Sequence, residues 1–169
     1  MSDTSTARLV YGSTLGRLLI EANSTGVTRV AFTDAQTAGP VGENPTAHVY
    51  LDTAAIQIDE YLTGERRHFT VPTDRSGMST FDREVLQALE AITGYGRTTT
   101  YGALTRHLGR TPADARKIGG ALARNRLLIL VPCHRVLGSD GSLIGYAGGL
   151  PAKRALLDLE SADLLLPLG

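Results

Sequence analysis

The apolar residues of this chain change their spacing once, near residue 76, and that change limits the folds open to it. Before it they come in short runs cut by glycine and turn residues. Arg8-Leu9-Val10-Tyr11 and Leu18-Leu19-Ile20-Glu21-Ala22 are separated by Gly12 and Gly16, and residues 27–32 follow the turn-like Asn23-Ser24-Thr25-Gly26. Residues 34–45, rich in Gly, Pro and small polar residues, read as a loop. Ala54, Ala55, Ile58, Tyr61 and Leu62 then recur at helical spacing up to Gly64, and Phe69-Thr70-Val71 before Pro72 reads as a last strand. From Ser79-Thr80-Phe81-Asp82 onward the period is helical, with Phe81, Val85, Leu86, Leu89 and Ile92 on one face. The pattern predicts a mixed α/β (α+β) fold. A small β-rich domain occupies residues 1–75 and a mostly helical one residues 76–169, with no linker long enough to make them independent.

Within the second half, Tyr101, Leu104, Thr105 and Leu108 share a helical face that Gly109 closes. Pro112 then suits the first turn of another helix, on which Ala115, Ile118, Gly119 and Leu122 repeat the spacing. Two short helices with a tight glycine-containing connection make a helix-turn-helix, although many helical hairpins share the pattern. Arg116 and Lys117 stand near the start of the second helix, the end such motifs present to DNA. Gly119-Gly120 weakens that helix, which points to close approach by a backbone or ligand.

Charge supports the same reading. The chain holds 17 basic and 17 acidic residues, but residues 97–136 hold eight basic ones (Arg97, Arg106, Arg110, Arg116, Lys117, Arg124, Arg126, Arg135) and one acid, Asp114. Such segregation suits a polyanion-binding face, and a merely solvated basic surface is the plainer alternative. A hydrophobic fraction of 42% and a charged fraction of 20% are those of a globular protein. No run of residues is long and apolar enough for a membrane helix, and no signal peptide is visible, so a cytoplasmic protein without membrane contact is expected.

The single cysteine lies in Val131-Pro132-Cys133-His134-Arg135-Val136, after the apolar run Leu127 to Val131. A packing cysteine is one reading. A nucleophile is the other, and it requires a base in reach and a partner to orient the base. His134 is adjacent, though sequence neighbours often point apart. Glu160 ends the helical stretch Pro151 to Glu160, where a carboxylate opposes the helix dipole unless something else holds it. Gly145-Tyr146-Ala147-Gly148-Gly149 is a glycine-lined loop open to a flat ligand.

VPCHRV, the Gly-Tyr-Ala-Gly-Gly loop and the downstream Glu160 resemble the O6-alkylguanine-DNA alkyltransferases, whose active-site signature is PCHRV. The resemblance is specific over residues 80–160 and looser in YGSTLGRLLIEANSTGVTRVAF and EYLTGERRHFTVP. It implies a ribonuclease-H-like N-terminal domain and a DNA-repair protein. Such a protein moves the alkyl group of O6-alkylguanine in duplex DNA, and of O4-alkylthymine less readily, irreversibly to its own cysteine.

By position, the resemblance implies that Cys133 is the acceptor, His134 its base through an ordered water, and Glu160 the group that polarises the histidine. Asn125 would stabilise the turn carrying the cysteine, and Tyr101 would donate to guanine N3. The Ala147 N–H would bond O6, and the Cys133 and Val136 carbonyls would accept from the exocyclic amine. Tyr146 and Leu122 would form pocket walls, with Gly119 and Gly120 beside the DNA, and Arg116 would fill the place of the flipped base. No cofactor or metal is implied. The partner is lesion-bearing duplex DNA, bound by a monomer, with clustering on DNA left open.

Three departures from the family pattern stand out: Arg126 where proline is usual after Asn125, Ala147 where serine is common, and Leu86 in place of a customary tryptophan in a chain with no Trp. They bear on adduct range and local packing rather than on the reaction. Three rivals remain in view. An alkyltransferase-like protein that only binds lesions has no acceptor cysteine. A helix-turn-helix transcription factor with a structural cysteine has no use for His134 and Glu160. A cysteine hydrolase turns over and needs no DNA.

Overall fold

The computed structural model describes residues 5–165. They form two compact units, and the fold is mixed α+β. The first unit runs to Gly77 and includes Arg126–Leu130; the second comprises Met78–Asn125 and the chain from Val131 onward.

In the first unit, strands β1 (Ala7–Ser13), β2 (Gly16–Ala22), β3 (Val27–Phe32) and β4 (Ala38–Val41) form an antiparallel sheet in the order β3-β2-β1-β4. Leu18, Ile20 and Ala22 alternate inward along β2, as a sheet with one covered face requires. Helix α1 (Pro45–Leu62) covers that face with Ala47, Leu51, Ala54, Ile58 and Tyr61. Its start is set by Pro45 and by the Asn44 side chain, which accepts from the Ala47 N–H at 3.1 Å.

Two expectations change here. The stretch read as a loop contains the exposed edge strand β4, paired to β1 through Arg8–Val41 and Val10–Ala38; cross-strand pairing overrides the weak propensity of Ala-Gly-Pro-Val. Residues 69–71 are not a strand, because the Thr70 and Val71 N–H groups donate to Gln57 Oε1 of α1 instead.

In the second unit, helix α2 (Thr80–Ile92) starts at Ser79, whose hydroxyl accepts from the Asp82 N–H. Strand β5 (Thr99–Thr100) leads into helix α3 (Tyr101–His107), capped by the Thr100 side chain. After Gly109, with φ of 66°, a 3-10 turn over Pro112–Asp114 opens helix α4 (Ala115–Ala123). Ile118, Ala121 and Leu122 bury α4, which packs on α2 and α3. Arg124, just beyond α4, forks onto Asp82 with bonds of 3.0 and 2.7 Å. Strand β6 (Val136–Leu137) runs parallel to β5 and so sets the start of α3 beside the segment that follows the cysteine. Helix α5 (Leu150–Leu165) closes the described chain and continues past Glu160, which therefore lies inside a helix and not in its last turn. None of the described helices is long and apolar enough to cross a membrane.

The Arg126–Leu130 segment differs from the domain boundary read in the sequence. The Val30 N–H donates to the Arg126 carbonyl at 2.7 Å and the Leu128 N–H to the Val30 carbonyl at 3.1 Å, so this stretch extends the first unit beyond β3. A contiguous reading of texture misses such a return.

Gly26 is the tightest backbone approach in the first unit. A Cβ there would stand 2.6 Å from the Pro72 carbonyl oxygen and 2.9 Å from the Thr73 nitrogen, both rigid backbone atoms. Gly26→Ala should therefore lower stability by about 1–3 kcal/mol in urea denaturation. An unchanged midpoint would mean that the Pro72 segment moves freely.

Candidate active site

Pro132 explains where the cysteine sits. Its φ of −82° and ψ of 54°, with the Cys133 N–H donating to the Val131 carbonyl at 2.8 Å, form an inverse γ-turn whose φ a proline ring prefers. A 3-10 turn over Cys133–Arg135 follows, closed by the Arg135 N–H on the Pro132 carbonyl and the Val136 N–H on the Cys133 carbonyl. Successive side chains in a 3-10 turn diverge by about 120°. Cys133 accordingly lines a cavity, while His134 turns inward.

That cavity, of about 280 Å³, is lined by Tyr101, Gly119, Leu122, Ala123, Cys133, Gly145, Tyr146 and Ala147. It falls at the small end of ligand pockets, the size for one flat group rather than an extended one. Six of its residues were singled out in the sequence for binding or chemistry: Tyr101, Gly119, Leu122, Cys133, Tyr146 and Ala147. Gly119 faces the Tyr101 ring with room to spare, since a Cβ there would sit 3.8 Å from it, an ordinary contact. Gly120 does not line the cavity and faces the Arg124 guanidinium. Val136 is fully buried off the cavity, its carbonyl accepting from Lys153 Nζ at 2.6 Å. Arg116 is exposed on the first turn of α4 and does not line the cavity.

The sulfur's immediate partner is Asn125, whose Nδ2 donates to Cys133 Sγ and to the Val131 carbonyl, each at 3.2 Å. Burial pushes the Cys133 thiol up from its ordinary range, while the Asn125 bond and the Lys153 ammonium pull it down, leaving it raised. At rest it is a thiol, and to react it must lose its proton to a base.

Behind it, His134 Nε2 lies 2.8 Å from Glu160 Oε1, both residues buried. Burial pushes the Glu160 carboxyl up, but hydrogen bonds from His134 and Arg135 more than offset this and hold it at about 2. An ionised carboxylate only accepts, so His134 Nε2 carries the proton and Nδ1 is the basic nitrogen. Burial lowers the imidazole below its ordinary range, against the pull of Glu160, so it is neutral near pH 7.

Glu160 is held from other sides too. Arg135 Nε donates to Oε2 at 3.0 Å and Nη2 to Oε1 at 2.9 Å, while the Gly96 N–H donates to Oε2 at 3.2 Å. Arg135 Nη1 reaches the Thr93 carbonyl, and the guanidinium lies over the Tyr95 ring. In the sequence Arg135 was counted with a DNA-facing basic surface. It is buried and belongs to Glu160. Arg126 lies in the first unit, and Arg97, Arg106, Arg110, Arg116, Lys117 and Arg124 are the exposed cations of the second unit within that stretch, of which Arg124 pairs with Asp82, Arg110 with Glu84 and Lys117 with Asp114.

Tyr101 donates its hydroxyl to the Ile144 carbonyl at 3.4 Å, a long bond at the cavity edge. Burial and the nearby Cys133 raise the phenols of both Tyr101 and Tyr146, so each keeps its proton. The Tyr146 hydroxyl is buried with no hydrogen-bond partner among the described residues. No group of three or more His, Cys, Asp or Glu among those residues is placed to hold a metal.

Sequence comparisons agree with this geometry. Residues 80–162 match the 6-O-methylguanine DNA methyltransferase DNA binding domain, and residues 8–75 match the ribonuclease-like domain of the same family. The chain is 39% identical over 158 residues to the methylated-DNA–protein-cysteine methyltransferase of Mycobacterium leprae (strain TN), spanning 92% of this chain and 93% of that protein. It is 37% identical over 156 residues to the Haemophilus influenzae protein of the same name, spanning 89% of this chain and 83% of that one. A crystal structure of Mycobacterium tuberculosis OGT in complex with DNA superimposes with a TM-score of 0.76 at 32% identity, over 91% of this chain and 92% of that one. With domain matches along most of its length and relatives aligned nearly end to end, the chain belongs to the 6-O-methylguanine DNA methyltransferase family.

Proposed function

We propose that this chain repairs duplex DNA by taking the alkyl group of O6-alkylguanine onto Cys133, once per molecule. The observation that carries this reading is a lone thiol on the wall of a base-sized cavity, with a fully buried histidine–carboxylate pair next to it in the chain. The sulfur attacks the alkyl carbon, an S–C bond forms, the C–O6 bond breaks and its electron pair stays with guanine. His134, through an ordered water, takes the thiol proton, and Glu160 stabilises the imidazolium that results. Tyr101, holding its proton, donates to N3 of the departing guanine. The product is a thioether without a leaving group, so the protein does not turn over. A lesion-binding role alone leaves the thiol and its buried pair without a use.

Recognition follows from the same parts. The base enters the cavity after flipping from the stack, between Leu122 and Tyr146, with the Ala147 N–H on O6. The exposed cations of the second unit face the phosphates. Arg116 takes the vacated place in the stack. The chain acts as a monomer in the cytoplasm.

Incubation with duplex containing O6-methylguanine should add one methyl group to the peptide carrying Cys133, with at most one equivalent per protein. Cys133→Ser should keep DNA affinity and lose transfer. Catalytic turnover, or a methyl group elsewhere, would refute the reading.

The relay sets a pH profile. His134 is the base and its imidazole is held below the ordinary histidine range, so the single-turnover rate should stay level through neutral pH and fall only in more acidic solution. Glu160→Gln should slow transfer by about 10²-fold with DNA affinity kept. Stability carries the sign of a depressed carboxyl. The contribution of Glu160 is complete above the ordinary carboxyl value of 4.5 and lost as pH falls through about 2. The Gln variant should lack that part of the acid dependence. A variant as fast as the parent near neutrality would leave Glu160 a structural residue.

Arg116→Ala separates base flipping from phosphate contact. Transfer from duplex should fall much more than reaction with free O6-benzylguanine, which needs no flipping. If Arg116 is only a phosphate contact, the salt slope of binding drops by about one unit instead.

A further inference from the structure

Lys153 is a charge that the proposed reaction does not use. It lies on α5 with no solvent exposure, and no described carboxylate pairs with it. Its three N–H donors have three carbonyl acceptors: Val136 at 2.6 Å, Ile144 at 2.8 Å and Gly145 at 3.2 Å. Hydrogen bonds to neutral dipoles satisfy the donors, yet a buried cation remains expensive without a nearby anion.

The three carbonyls are not scattered. Val136 directly follows the turn that holds Cys133, and Gly145 lines the same cavity as Cys133. The Ile144 carbonyl also accepts from the Tyr101 hydroxyl. One ammonium thus closes the chain from 136 to 145 into a loop and anchors the acceptor that orients Tyr101.

We propose that Lys153 is a positioning residue for alkyl transfer: its ammonium fastens the cavity wall to the turn bearing Cys133 and supplies the fixed positive charge that favours the sulfur in its anionic form. This rests on Cys133 being the alkyl acceptor. It accounts for retaining a charge where a methionine fills a similar volume.

The electrostatics agree. The Lys153 ammonium lowers the Cys133 thiol against its burial, and the sulfur raises Lys153 against the burial that depresses it. Around the sulfur stand Asn125 from the end of α4, Tyr101 from α3, Tyr146 from the loop before α5, and Lys153 from α5. His134 next in the chain is tied to Glu160, and Arg135 is committed to the same carboxylate. Lys153 is the one cation in this set without a carboxylate of its own.

The test uses the full chain with Lys153→Gln, which keeps a donor amide, and Lys153→Met, which keeps neither donor nor charge. Because the chain has one cysteine, iodoacetamide labelling against pH reports on Cys133 alone. Both variants should move the labelling midpoint to higher pH and slow transfer from O6-methylguanine duplex at neutral pH by at least about tenfold. Part of the rate should return as pH is raised, which a packing defect alone does not produce. Midpoints equal to the parent's would overturn the proposal. A shift in midpoint with a parent protein that transfers no methyl group would instead overturn the alkyl-acceptor reading and leave the Lys153–Cys133 coupling standing. If neither variant folds, the coupling is read from the other side, by following the Lys153 ammonium by nitrogen NMR in the parent and in Cys133→Ser. Coupling is reciprocal, so Lys153 should titrate lower once the sulfur is gone. The same midpoint in both proteins would end the idea.

Discussion

The Glu160 carboxylate is the point on which the second unit's chemistry hangs. Four donors of different origin converge on its two oxygens: the His134 ring, two nitrogens of Arg135, and the Gly96 backbone. A buried carboxylate with fewer partners would take up a proton to escape the cost of its charge. This one is held ionised at about 2, and an ionised oxygen facing Nε2 settles the histidine's tautomer without further help. Arg135 is thus part of the histidine's apparatus although it touches no cavity. Its charge offsets that of Glu160 and helps keep the carboxylate ionised against its burial.

Burial works against the sulfur and for its selectivity. Burial raises the Cys133 thiol and so lowers the thiolate fraction open to stray electrophiles at neutral pH. Asn125 and Lys153 limit how far the penalty goes. They come from different elements, Asn125 just beyond the end of α4 and Lys153 on α5. The β5–β6 pairing adds a third support, since it fixes the start of α3 and hence Tyr101 against the residues that follow the cysteine turn.

The parts legible in the sequence are those with a local cause. The strand runs and the Ser79 and Pro112 signals act within a few residues, and the structure carries each of them. The residues alone left Cys133 between packing and catalysis, and Glu160 between partner and surface; resemblance to the family favoured the sharper reading of each, and the structure places Glu160 against His134 and Arg135. What was missed had a remote cause. β4 exists because β1 offers an edge, and Gln57 diverts residues 70 and 71 from pairing. Arg135 and Lys153 look in sequence like any solvated cation. A signal for Lys153 was present, because it shares a helical face with Leu156 and Glu160, and a charge on the apolar side of an amphipathic helix asks for a partner.

The excursion of Arg126–Leu130 into the first unit shows how the cysteine turn is kept in shape. The chain leaves the second unit at Asn125 and re-enters it at Val131, and the Asn125 side chain closes this five-residue detour by bonding the Val131 carbonyl. At its far end Ile129 has a φ of 72°, and the Leu130 N–H reaches the Leu128 carbonyl at 2.9 Å, which makes the strained γ-turn of positive φ on a β-branched residue. Such a conformation persists only where its surroundings over-determine it. Here Leu128 is hydrogen-bonded to Val30 on one side and Asn125 grips Val131 on the other. The amide that steadies the sulfur is therefore the same group that locks a strained loop at its base.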